Sequence, residues 1–379
     1  MNIIDYVERR NRTFGDTPFC IVDSLVLAQL SYVKIEEVLK DLGVNCTDMD
    51  ALPQQDLHME LRDYYRAEYF DRMFSDGITD GNNLQLFRLA AANPRFRNME
   101  IRHVAVCYDP DLEQQFAAMT FVLEPGVEYI AFRGTDGSML GWKEDFNLAF
   151  MDEIPSQKLA VRYLELCHSL EDEHCEFYVG GHSKGGNLAQ YGSLSCSPEA
   201  RCRIRAVYCL DAPGFRRETT ERLEHAHRES GLSIVRIVPQ SSLVGMLLQE
   251  DEDYRVVDSD ALGLMQHSAY SWQITGKDFC YRDDLTASGA YVDRTIHDWL
   301  KAQDDDHRKV FVNTIFGFLE QNNLTTVSNF RKLRPSDIPE LISSLRAIDD
   351  ETLSVILKML RGLAGSAFRQ IPDRGTQKD

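Results

Sequence analysis

The sequence contains no CxxC pair, no excess of positive charge, no internal repeat or low-complexity tract, and no long apolar run. Each absence excludes something. Nine cysteines, an odd number, are scattered at positions 20, 46, 107, 167, 175, 196, 202, 209 and 280. They form neither a zinc-binding spacing nor a disulfide framework, so a reducing, cytoplasmic setting is expected. No metal or other cofactor is expected, because no His/Cys/Asp cluster has ligand spacing. Lys and Arg number 41 against 60 Asp and Glu, a net charge of -19, which repels a phosphate backbone and excludes nucleic acid as a partner. No apolar run approaches the roughly 18 residues that span a bilayer. The opening MNIIDYVERRNRTFGD also lacks the apolar core of a signal peptide.

What is present suits a large folded core, since 43% of the 379 residues are hydrophobic. Val22, Leu25, Val26, Leu30, Val33, Val38 and Leu39 recur at helical spacing, predicting a helix from Val22 to Leu39. Residues 55–93 read as mainly helical around a Gly/Asp/Asn loop near 75–83. The texture then turns to β. Short β-rich runs at 102–108, 116–123 and 127–132 are separated by turn signals, which predicts a meander. Beyond Arg133 strands alternate with helices. Strands are expected at 176–179, 204–210, 233–238 and 254–257, and helices at 141–150, 157–170, after Ser183 and at 218–230. Such alternation predicts an α/β fold with a mostly parallel central sheet and helices on both faces, plus additional N- and C-terminal helices. Helix starts of capping type occur at Ser336-Asp337 and Asp349-Asp350.

The stretch GGHSKGGN, residues 180–187, sits where an apolar strand ends and a helix begins. Ser183 there has glycine at both second neighbours, Gly181 and Gly185, the G-x-S-x-G pattern. A strand that turns straight into a helix crowds its central residue, so small neighbours are required. The serine is a helix cap, part of a phosphate cradle, or a nucleophile. A phosphate loop is excluded, because GxxxxGK[ST] spacing is missing.

A nucleophile of this type needs a base and an acid downstream. His225, His227 and His307 lie in charged segments, whereas His267 is set among apolar residues in LGLMQHSAYSW, with His297 in RTIHDWL as the alternative. For the acid, Asp211 ends the strand in YCLDAPGF; Glu250, Asp251 and Asp253 compete for the role. The run YIAFRGTDG, residues 129–137, places Thr135 after an apolar strand. Its backbone N–H and that of Lys184 would together form an oxyanion hole. The aromatic-rich YYRAEYFDRMF (64–74) and the LVGMLL run (243–248) either line an acyl-chain pocket or pack as core.

FRGT, then Trp142-x-x-Asp145, then GHSKGGNLA, then a histidine on a late loop together resemble the fungal-type class 3 triacylglycerol lipases. VDSLVLAQLSY (22–32), FRGTDGSMLGWKEDFN (132–147), APGF (212–215), VPQSSLVGMLL (238–248) and QHSAYSW (266–272) are similar to a bacterial family of lipase-like α/β-hydrolases. The resemblance implies the α/β-hydrolase fold and a serine esterase. Its nucleophile would be Ser183 and its oxyanion-hole residue Thr135. It also implies an acid after the strand SIVRIVP, where this chain has Gln240-Ser241-Ser242 instead. The expected organisation is a hydrolase domain over 1–283 with a helical insertion at about 40–98, a C-terminal helical segment over 284–366 packing on it, and a flexible tail at 367–379. The expected partner is a small-molecule or lipid acyl ester. Acyl transfer with the same residues, and a non-catalytic hydrolase-like binding module, are the competing readings. Oligomeric state is left open.

Overall fold

In the computed structural model, residues 1–55, 58–75, 79–249, 253–286, 304–321 and 326 are described. Among these residues nine strands form one sheet: β1 (Met59–Glu60), β2 (Glu100–Asp109), β3 (Gln114–Glu124), β4 (Val127–Phe132), β5 (Glu176–His182), β6 (Ile204–Leu210), β7 (Ile234–Pro239), β8 (Arg255–Val257) and, at the far edge, β11 (Tyr281–Arg282). Between the last two, β9 (Ile274–Thr275) and β10 (Asp278–Phe279) make a separate hairpin. From β4 through β8 neighbouring strands are parallel, while β1 to β4 zigzag antiparallel and β11 returns antiparallel to β8. The strand runs read from the sequence all appear, within a residue or two of their expected bounds except that β5 continues three residues beyond the expected 179, through Gly180-Gly181 to His182.

The sheet is covered on both faces, and alternation along each strand shows how. On β4, Tyr129 and Ala131 face one apolar cluster while Ile130 and Phe132 face the other. On β6 the same split separates Tyr208 and Leu210 from Val207 and Cys209. The first cluster is closed by the helices Ile3–Arg9, Ile21–Leu30 and Asp80–Ala92; the second by Pro155–Leu170 and Lys184–Ser195. Strands buried on both sides need continuous apolar sequence, which explains why YIAF and VYCL read as unbroken runs.

Two expectations change. The predicted Val22–Leu39 helix is two helices, Ile21–Leu30 and Glu36–Asp41. Arg133 causes the break: its guanidinium takes the carbonyls of Ser31 (2.5 Å) and Val33 (3.3 Å) and pairs with Glu36 at 2.7 Å. A continuous helix would have used those carbonyls itself. Residues 55–93 hold less helix than expected, because β1 pairs with β2 and Leu61 N–H reaches Met99 O at 2.8 Å. Of the aromatic stretch 64–74, Tyr64 and Met73 are core, each 1% exposed, whereas Tyr69, Phe70 and Phe74 are half-buried against that core and Tyr65 is 41% exposed. In the LVGMLL run Met246 packs on Val238 and Val256.

Of the C-terminal segment, the helix Asp305–Gln321 is described. It packs on the helix Met139–Asn147 through Phe316 against Phe146, with ring centroids 5.5 Å apart, and Arg216 pairs with Asp305 at 2.7 Å. The proposed helix starts at 336 and 349 and the tail at 367–379 lie outside the described residues.

Candidate active site

The sheet delivers β4, β5 and β6 to a common edge in register, with Phe132 opposite Gly181 and Gly181 opposite Cys209. Ser183 follows β5 directly and opens the helix Lys184–Ser195 with φ 60° and ψ -133°, a conformation L-residues rarely hold. Its hydroxyl makes no capping bond to that helix, which removes the cap as the reason for a serine here. The flanking glycines are needed for close approach. A Cβ on Gly181 would lie 2.6 Å from Phe132 O, and one on Gly185 would overlap that same carbonyl. As the first helical residue, Lys184 offers an N–H with no intrahelical acceptor, at the positive end of the helix.

Asp211 follows β6, fully buried, with φ 48°. One carboxylate oxygen, Oδ1, accepts from Ser242 Oγ at 2.5 Å and from Gly245 N at 3.1 Å. The other, Oδ2, faces His267 Nδ1 at 2.6 Å. His267 ends the short 3-10 helix Gly263–His267 with its side chain 25% exposed. Neighbours hold that loop in place. Trp272 Nε1 donates to Gln266 O at 2.9 Å, and Gln266 Oε1 accepts from Ser241 N at 2.8 Å. His182, just before Ser183, donates from Nε2 to His267 O at 2.8 Å and packs its ring 4.5 Å from the His267 ring. Burial pushes His182 well below the ordinary histidine range, so it stays neutral beside its neighbour.

Thr135 lies half-buried in the loop after β4, and its hydroxyl donates to Asp145 Oδ2 at 2.5 Å. Burial raises the Asp145 carboxyl to about 6, against the pull of Lys184 and of the Thr135 hydrogen bond. Arg133, by gripping Ser31 O, Val33 O and Glu36, ties this loop to the end of the helix Ile21–Leu30. Tyr32, next to that grip, brings its hydroxyl so near Gly134 that no side chain fits there. Thus Ser183, Lys184, Asp211, His267 and Thr135 gather at one edge of the sheet. Of the competing acids, Asp253 is exposed just before β8, whereas Glu250 and Asp251 lie outside the described residues, as does the alternative base His297.

Residues 90–317 match the Mbeg1-like family. The chain belongs to that family. No functionally curated protein matches it. Among solved structures it is similar to a mutant form of MDLA from Penicillium cyclopium, at 12% identity and TM-score 0.39 over 68% of this chain and 83% of that one. Lipase II from Rhizopus niveus gives 13% and 0.37 over 69% and 85%. The Rhizomucor miehei lipase propeptide complex gives 13% and 0.34 over 71% and 74%. Overlaps this loose carry no residue-level correspondence.

In this Mbeg1-like chain several residues at the site carried no sequence signal of their own. Ser242 stands in the loop after β7 where the lipase resemblance places an acid, and its hydroxyl instead donates to Asp211 at the end of β6. Glu144 and Gln115 receive the Lys184 side chain. Away from this edge, Glu128, Glu171 and Cys175 bring one ligand atom each within 4.8 Å of one another, with Glu128 on a strand distant in sequence from the other two. Arg102 already supplies a cation there, 3.2 Å from each carboxylate. Among the described residues, no helix is long and apolar enough to cross a membrane.

Proposed function

We propose that the protein is a serine hydrolase that cleaves a carboxylic ester through an acyl-enzyme intermediate. Ser183 Oγ attacks the ester carbonyl carbon while His267 Nε2 takes its proton. Asp211, bonded to Nδ1, holds the imidazole in the required tautomer and balances the imidazolium that forms. The carbonyl oxygen, now an oxyanion, is received by the backbone N–H groups of Lys184 and Thr135. Collapse expels the alcohol, which takes the proton back from His267. Water then repeats the cycle and releases the acid. The chemistry requires no cofactor from the protein.

The observation that carries this reading is the 2.6 Å Asp211–His267 contact, made by a fully buried carboxylate at the sheet edge where Ser183 sits at φ 60°. An acid left unpaired at this depth would have no physical rationale. Support for an ester rather than another acyl group comes from the ordered lipase-like motifs. A panel of p-nitrophenyl esters of rising acyl length tests it, with Ser183→Ala as the blank. Turnover that disappears in that variant and falls at least about a thousandfold in His267→Ala is expected. Equal turnover by wild type and Ser183→Ala would sink the reading, and product appearing as a new ester when an alcohol is added would assign acyl transfer instead.

A further inference from the structure

Only the backbone of Lys184 enters the proposed chemistry, yet its side chain is fully buried. Its three ammonium protons have three acceptors: Gln115 O at 2.8 Å, Gln115 Oε1 at 2.8 Å and Glu144 Oε2 at 2.9 Å. Glu144, also 0% exposed, is equally saturated. It accepts from Gln115 N at 3.0 Å, Ser156 N at 3.0 Å and Ser156 Oγ at 2.9 Å. The network joins the start of β3, the helix Met139–Asn147, the start of Pro155–Leu170 and the first residue after Ser183.

Burying two charges carries a desolvation penalty that their attraction must first return, and apolar pairs of similar volume are often at least as stable. Stability alone therefore gives no reason for an ion pair at this position. Geometry gives one. The amide aimed at the oxyanion belongs to the same residue whose ammonium is anchored, and the anchoring helix supplies Asp145, the next residue, to Thr135 Oγ1. Consecutive carboxylates of one helix thus hold the two residues assigned to the hole.

We propose that the Lys184–Glu144 ion pair is a positioning device for the oxyanion hole, with Glu144 fixing the Lys184 amide through the Lys184 side chain. The proposal rests on the hydrolase reading above. Glu144 is a positioning residue, since it touches neither substrate nor nucleophile. Displacing a hole donor by a fraction of an ångström weakens the transition state and leaves ground-state binding nearly untouched.

The test compares the full-length wild type with Lys184→Met, Glu144→Gln and the double variant Lys184→Met/Glu144→Leu. The measurements are ester kcat and KM, the fluorophosphonate labelling rate, and the melting temperature. Each folded single variant is expected to lose about ten- to a hundredfold in kcat and in labelling rate, with KM within about twofold. The double variant is expected to melt at or above the wild-type temperature while kcat stays low. A double variant that regains wild-type kcat with its stability, or a folded single variant with unchanged kcat, overturns the positioning role alone. Absence of both labelling and turnover in wild type overturns the hydrolase reading and this proposal with it.

Discussion

Asp211 is the residue on which the site turns. Its two oxygens are divided, one held by Ser242 and Gly245 and the other directed at His267 Nδ1. A Cβ at Gly245 would collide with that carboxylate, so the loop after β7 is shaped around it. Asp211→Asn preserves volume but offers His267 an amide where a carboxylate selected the tautomer. Ester turnover is expected to fall by about 10⁴ with the melting temperature changed by little. Asp253→Asn, at an exposed position before β8, is expected to leave turnover within about twofold. Wild-type-like turnover in Asp211→Asn would show that the pair is structural.

At the scale of elements, the strand-turn-helix around Ser183 depends on how closely β4, β5 and the following helix approach. Gly185 lies against the carbonyl of Phe132, a backbone atom that cannot swing aside. Gly185→Ala is therefore expected to cost about 3 kcal/mol or more, or to prevent folding, as read by denaturant unfolding. Retained stability would mean that the turn is looser than its glycines indicate. This element was legible in the sequence because its constraints are local: small residues at fixed offsets, an apolar strand before and a helix after. Asp211 and His267 were legible for a related reason, as polar residues placed at the ends of apolar runs. The split helix at 31–35 was not, because Arg133, a hundred residues on, takes the carbonyls that the periodicity assigns to the helix. Nor was Glu144. A glutamate between Lys143 and Asp145 reads as surface, and only the packing of four segments buries it.

For the molecule as a whole, the sheet separates chemistry from stability. The site lies beyond residue 132 of β4, while Glu128 sits near the other end of that strand, about 13 to 20 Å away at strand spacing. Burial and the facing Glu171 raise Glu128 from 4.5 to about 8. A carboxyl whose pKa is raised by folding contributes stability that is complete below the unfolded value and is lost as pH climbs through the folded one. The wild-type melting temperature is thus expected to decline between about pH 5 and pH 8.5 from this group. Glu128→Gln, which can still accept from Arg102, should flatten that decline and melt above wild type at pH 9, with ester turnover unchanged. Parallel curves for the two proteins would place the titration elsewhere. The central claim, that this edge of the sheet holds a working nucleophile, is tested most directly by treating the full chain with a fluorophosphonate and locating the adduct by peptide mass spectrometry. One adduct on Ser183, absent from Ser183→Ala and slowed in His267→Ala, is the predicted result; folded protein that stays unmodified at Ser183 contradicts the account.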